Sequence, residues 1–96
     1  MKPSVVLQQH REEIRQIVAR HHAANARVFG SVLTGEDRDG SDLDLLVDAT
    51  AETTLMDLGA MRLELRRLLD VEVDVLTPGG LPESFREQVL KDASPV

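Results

Sequence analysis

The chain of 96 residues has no cysteine, no tryptophan, no tyrosine and only two phenylalanines. Without cysteine there is no disulfide and no thiolate metal site, and the chain is compatible with a reducing compartment. No apolar run reaches the roughly 18 residues that a membrane-spanning helix needs, and no apolar leader resembling a secretory signal is visible. The default expectation is a cytoplasmic protein with no membrane association. Cations are also scarce: 11 Lys and Arg stand against 17 Asp and Glu, for a formal net charge of −6. Affinity for a phosphate backbone rests on clustered Lys and Arg that release counterions, so a nucleic-acid partner is disfavoured. What is present is ordinary for a folded protein. Hydrophobic residues make up 42 % and charged residues 29 %, which argues against disorder and suits one domain over residues 1–96.

Hydrophobic periodicity divides the chain into six elements. Val6, Ile14, Ile17 and Val18 form an apolar stripe, filled by His10 and ended by His21, that predicts a helix from Ser4, as N-cap, to His22. Arg27 to Gly30 reads as a short strand that turns at Gly30-Ser31, with a helical turn over Ser31 to Thr34. From Asp42 to Asp48 the residues alternate: Leu43, Leu45 and Val47 share one face, and Asp42, Asp44, Leu46 and Asp48 share the other. Leu58, Met61, Leu65 and Leu68 mark a long helix within Thr50 to Asp70, while Val71, Val73 and Val75 mark a third strand stopped by Thr77-Pro78-Gly79-Gly80. A last helix over Pro82 to Lys91 would turn Phe85 and Val89 inward. The order helix, strand, strand, helix, strand, helix predicts a small α/β or α+β domain with a three-stranded sheet covered by helices. The pattern leaves strand direction open, although the long helix before the third strand permits a parallel crossover.

The aspartates suggest the chemistry. At about 3.3 Å per residue, Asp42 and Asp44 stand about 7 Å apart on one strand face, where their carboxylates can converge. Asp74 has the same parity on the third strand and reaches the same place if the two strands are neighbours. Like charges so close raise one another's pKa unless a cation neutralises them. Carboxylate oxygens without His or Cys suit a hard ion, and Mg²⁺ in particular binds through one or two carboxylates plus substrate phosphates. The Gly30-Ser31 turn supplies the complementary half, because glycine admits close approach of a ligand and the amides that open a helical turn face an anion. Phosphate on one side and metal on the other is the arrangement for phosphoryl or nucleotidyl transfer.

Gly30-Ser31, the nine residues after it, Ser41-Asp42-Leu43-Asp44 with its apolar continuation, and the later Asp74 together resemble the nucleotidyltransferase superfamily that includes DNA polymerase beta. Short length and near-complete coverage are similar to the minimal nucleotidyltransferases of prokaryotic HEPN–MNT toxin–antitoxin pairs. The resemblance implies the nucleotidyltransferase fold with a mixed sheet. It implies that Asp42 and Asp44 hold two Mg²⁺ ions, that Asp74 completes one metal site and helps deprotonate the acceptor hydroxyl, and that Gly30 and Ser31 bind the triphosphate of ATP. It further implies an antitoxin that moves AMP onto a tyrosine of a HEPN-type toxin partner. The usual Ala-Arg-Gly after Gly-Ser is here Leu33-Thr34-Gly35, so Thr34 replaces a basic residue, a place that Arg38 could fill. Two alternatives follow: transfer to a small-molecule acceptor such as an antibiotic, and neutralisation by binding alone.

Other acidic and imidazole groups have structural explanations. Asp48 lies about 13 Å beyond Asp44 at strand rise and belongs to a solvated face. A calcium loop starting at Asp37 would place its required glycine on Asp42, so the register fails and Asp37 and Asp39 are turn residues. His10, His21 and His22 have no ligand companions at metal-binding spacing, and Leu63 is an exposed leucine off the main helical stripe.

Overall fold

The computed structural model describes all residues, Met1–Val96. Four strands form one sheet: β1 (Ala23–Phe29), β2 (Leu43–Ala49), β3 (Val73–Leu76) and β4 (Ser94–Pro95), in the order β3-β2-β1-β4. The sheet is mixed, with β1 antiparallel to both β2 and β4 and β2 parallel to β3. Five helices, α1 (Pro3–Gln9), α2 (Arg11–Arg20), α3 (Ser31–Thr34), α4 (Leu55–Leu69) and α5 (Glu83–Asp92), and a 3-10 turn over Pro78–Gly80 complete the chain. No helix is long and apolar enough to cross a membrane.

The core forms where α1, α2 and α4 cover one face of the sheet. Leu43, Leu45, Val47 and Val73 are fully buried there with Ile14, Met61 and Leu65, so the strand period of two and the helical stripe meet as their spacing requires. Helix α4 supplies the crossover that parallel strands need. It starts at a capping box in which the Thr54 hydroxyl accepts the Asp57 amide at 3.1 Å and the Asp57 carboxylate accepts the Thr54 amide at 2.9 Å. At the edge strand β3, Arg62 donates from Nε to the Val73 carbonyl at 2.9 Å, occupying a backbone group that would otherwise face solvent.

Six expectations need correction. The sheet has a fourth strand, because the end of the chain lies antiparallel beside β1 and the Val96 amide donates to the Ala26 carbonyl. Strand β1 begins four residues before Arg27, with an irregularity between Ala24 and Arg27 where Asn25 takes a left-handed φ of 54°. The first helix is two, broken at His10 (φ −128°, ψ 22°), whose ring bonds Glu13 at 2.8 Å instead of filling an apolar stripe. Ser4 is not the N-cap: Lys2 is, with Pro3 in the first turn, and the Ser4 amide donates to Asp37 Oδ2 at 2.8 Å. Asp37 is therefore no mere turn residue but a buried carboxylate that caps a helix 33 positions away. That hydrogen bond holds its pKa below the usual carboxylate range. Finally, Phe85 does not point inward; it is 45 % exposed, and α5 buries no residue at all.

Candidate active site

The face of the sheet opposite the core carries the aspartates. Strand register places Phe29, Asp44 and Asp74 in one row across β1, β2 and β3, because Phe29 partners Asp44 in the antiparallel pair and Asp44 partners Asp74 in the parallel pair. One residue pair further along, Arg27, Leu46 and Leu76 form the next row of the same face. Leu46 is fully buried despite its place beside the aspartates, since the 3-10 turn packs against β2 and Leu81, just after it, is buried too. The parity argument thus holds for Asp44 and Asp74, and one end of their face is closed by apolar packing.

Asp44 sits at the centre of the row. Burial is the largest influence on its carboxyl, followed by the charges of Asp74 and Asp42 and a hydrogen bond shared with Asp74; together they push its pKa up to about 6 from 3.8. Asp42 precedes β2 and is exposed, as is Asp74. The structure therefore brings Asp44 and Asp74 into contact and Asp42 within electrostatic reach. No three His, Cys, Asp or Glu side chains anywhere in the chain are placed so that they alone could hold a metal ion. A paired carboxylate with a third nearby is an open donor set of hard oxygens, which suits Mg²⁺ shared with substrate phosphates better than an all-protein site.

Gly30 explains how so polar a row packs against a turn. Its φ is +73°, and a Cβ built on it would lie 2.2 Å from Asp44 Oδ2 and 3.1 Å from Asp44 Cγ. Only glycine meets both demands, the left-handed backbone and the close passage of the carboxylate. Ser31 then opens α3, whose first amides have no partner within the helix. The turn is held by Thr34 N to Gly30 O at 3.2 Å and Glu36 N to Ser31 O at 2.9 Å, and the left-handed Gly35 (φ 79°) ends it. Thr34 itself is exposed and its hydroxyl donates to the Ser31 carbonyl at 3.3 Å, while the Arg38 guanidinium has no hydrogen-bond or ion-pair partner in the chain.

The remaining polar residues are held elsewhere. Asp48 accepts from Arg27 and, at 2.9 Å, from Asn25 Nδ2. It is an ion-paired residue of the sheet and not simply a solvated one. Asp39 meets the N-terminal ammonium at 3.1 Å, His21 bonds Glu64 at 2.8 Å, and His22 approaches Asp57 at 3.4 Å. One feature of the site escapes sequence reasoning. A groove of about 540 Å³ opens beside Gly30 and Ser31, between α3 and α5, and both phenylalanines of the chain, Phe29 and Phe85, line it. The scarcity of aromatics could have drawn attention to these two, but their juxtaposition depends on the tertiary fold.

The geometry agrees with what the chain is similar to. The family model described as nucleotidyltransferase domain matches residues 7–96. Protein adenylyltransferase MntA of Thermococcus cleftensis is 30 % identical over 87 residues, covering 91 % of this chain and 85 % of that one. A solved structure described as a candidate minimal nucleotidyltransferase is 45 % identical, with a TM-score of 0.86, and the match covers 97 % of this chain and 95 % of the other. A toxin–antitoxin structure with AMP-PNP shares the fold, with a TM-score of 0.74 at 20 % identity over 88 % of this chain and 69 % of that one.

Proposed function

The chain belongs to the nucleotidyltransferase domain family, and on that premise we propose that it moves AMP from ATP to a tyrosine hydroxyl of a HEPN-type toxin partner and so acts as the antitoxin. The observation that carries this reading is the approach of Asp44 to Gly30, which leaves no room for a Cβ and sets a carboxylate against the turn that opens α3. Cation and phosphate sites side by side are what transfer from a nucleoside triphosphate requires.

Each residue has a role in that reading. The amides at Gly30 and Ser31 orient the triphosphate. Asp42, Asp44 and Asp74 would hold two Mg²⁺ ions, which when bound neutralise the charge on the attacking and leaving oxygens. The donor set fits in its chemistry, three carboxylates of which Asp44 is disfavoured as an anion first by burial and then by the charges of Asp74 and Asp42, the latter a repulsion that a cation relieves. Asp74, exposed at the open side of the row, accepts the proton of the acceptor hydroxyl. The hydroxyl oxygen then bonds to the α-phosphorus, the bond from that phosphorus to the bridging oxygen breaks, and pyrophosphate leaves with the electron pair.

A protein acceptor is supported by three observations. The face that carries Asp42 and Asp74 is open, with both carboxylates exposed to whatever acceptor approaches. The similar protein from Thermococcus cleftensis is named as a protein adenylyltransferase. The neighbour that shares the fold was solved as a toxin–antitoxin complex with an ATP analogue.

The test adds purified protein, Mg²⁺ and α-labelled ATP to a lysate of the native host, with Asp42→Asn/Asp44→Asn as the control. A labelled protein band that needs both aspartates supports the proposal and identifies the acceptor. A label recovered only on small molecules moves the acceptor to that class. No label at all, with the folded double variant still neutralising the toxin, would replace catalysis by binding alone.

A further inference from the structure

The row of aspartates has a phosphate side and an open side. Gly30 and Ser31 follow β1, Asp44 lies on β2, and Asp74 lies on β3, the edge strand of the sheet. An acceptor whose hydroxyl meets Asp74 therefore approaches over β3 or past the end of the sheet where β2 and β3 start side by side, at Leu43 and Val73. A cavity of about 580 Å³ opens at that end. Ser41, adjacent to Asp42, lines it, as do Leu63, Arg66 and Arg67 of α4 and Glu72, two residues before Asp74. None of these residues takes part in the transfer chemistry described above.

The charge at this cavity runs against that of the chain. Arg62, Arg66 and Arg67 are three of only 11 cations, clustered on one helix. Arg62 and Arg66 share one carboxylate, with their Nη2 atoms 3.5 Å and 2.8 Å from Glu72, and Arg62 is further tied to the Val73 carbonyl. The Arg67 guanidinium is exposed and has no hydrogen-bond or ion-pair partner. Counting Asp70 at the C-cap of α4, three arginines stand against two carboxylates, a local excess of positive charge in a chain whose total is −6. Leu63 is 44 % exposed and contributes nothing to the core; at i and i+4 it shares one helix surface with Arg67. A free guanidinium fork matches a carboxylate, and an exposed leucine beside it matches an apolar side chain. A polynucleotide backbone needs a run of free cations, and here Arg67 alone is unpaired.

We propose that this surface docks an acidic segment of the acceptor protein, with a carboxylate of that segment on Arg67 and an apolar side chain on Leu63, so that the tyrosine beside them reaches Asp74. This deepens the nucleotidyl-transfer reading above and rests on it. The two substrates then meet the aspartates from different sides, ATP at the Gly30-Ser31 turn and the protein at the end of α4. Glu72 and Asp74 are about 7 Å apart at strand rise, a span that two residues of an extended acceptor segment cover.

Fluorescence anisotropy of the full chain with labelled random copolymers of glutamate, alanine and tyrosine and of lysine, alanine and tyrosine, without nucleotide and at physiological salt, tests this. Net charge alone predicts tighter binding of the lysine copolymer, whereas the docking surface predicts tighter binding of the glutamate copolymer. Arg67→Glu is expected to weaken the glutamate copolymer by about 5-fold or more. Arg67→Lys, which keeps the charge and loses the fork, should fall between. Calorimetric affinity for ATP in Mg²⁺ should stay within about twofold in both variants, as for a site that shares no partner with Arg67. Tighter binding of the lysine copolymer by the native chain overturns the proposal, and so does unchanged affinity for the glutamate copolymer in Arg67→Glu. An equal loss of ATP affinity in that variant also overturns it and assigns Arg67 to the nucleotide. Glutamate copolymer bound through Arg67 but never labelled from α-labelled ATP, with no labelled band in the host lysate either, supports the docking surface and counts against the transfer reading.

Discussion

Replacing Asp44 by Asn should stabilise the metal-free protein at neutral pH while abolishing transfer. In the fold the Asp44 carboxyl is partly buried and faces Asp74 and Asp42, which raises its pKa from 3.8 to about 6. A raised carboxyl pKa means that folding favours the neutral form. The stability it contributes is complete below about pH 3.8 and is lost as pH rises through 6, beyond which the folded chain bears the repulsion in full. At 1.36 kcal/mol per pH unit the interval corresponds to about 3 kcal/mol. Water still reaches the site, and screening reduces this to about 1–2 kcal/mol. Asn has the shape of the protonated acid and can donate to Asp74 as that acid does. For a domain of this size the gain corresponds to a rise in Tm of roughly 5–10 °C. Thermal melts followed by circular dichroism in EDTA, at pH 4, 5, 6 and 7.5, would show the variant close to the native chain at pH 4 and progressively more stable above it. A variant that is no more stable at pH 7.5, or a difference that does not change with pH, would refute the reasoning.

Other perturbations separate the parts of the fold. Gly30→Ala should cost several kcal/mol by urea denaturation and eliminate detectable AMP transfer, because the new Cβ meets Asp44 Oδ2 at 2.2 Å on a backbone with φ of +73°. Asp37→Ala should lose about 0.5–2 kcal/mol through the uncapped Ser4 amide, read from urea midpoints, with little change in nucleotide affinity. The Asp37 contribution should fade on acidification, since a carboxylate held below its usual pKa stabilises the fold at neutral pH and loses that effect as it protonates. Leu65→Ala, a full truncation in the centre of α4 against the sheet, should cost about 2–5 kcal/mol in the same assay.

The legible parts of this molecule are those that repeat along the chain. Alternation over Asp42 to Asp48 was enough to separate the core residues Leu43, Leu45 and Val47 from Asp44, and the same parity placed Asp74. The helical stripe of α4 was visible for the same reason, and the glycine before Ser31 marked a turn. What was not legible depends on partners distant in sequence. Nothing around Asp37 indicates that it reaches the Ser4 amide, 33 positions earlier. Nothing in Ser94-Pro95 resembles a strand; it becomes one because β1 offers an unpaired edge. Ala23 to Ala26 lacks strand propensity, and its inclusion in β1 follows from pairing with β2 and from a bulge at Asn25. Phe85 and Val89 have the i, i+4 spacing of a buried stripe, yet periodicity identifies a face without saying what covers it, and here the face borders a groove.

The register ties these observations into one physical consequence. The side chain that meets Gly30 is Asp44, which the antiparallel pairing sets opposite Phe29, and the parallel pairing of β2 with β3 then fixes Asp74 as its neighbour. A slip of one residue in either pairing would turn Asp44 into the core and a leucine into the site. The fully buried Leu43, Leu45, Val47 and Val73 resist that slip, because each would have to leave the interior. Apolar burial on one face thus holds repelling carboxylates together on the other. The inference has a consequence for Leu45→Asn. Placing a polar group at a fully buried position should loosen the register as well as the core, so nucleotide binding should fail under conditions where circular dichroism still reports helix. Retained binding in such a variant would mean that the carboxylates are positioned by local turn geometry at Gly30 and not by the sheet.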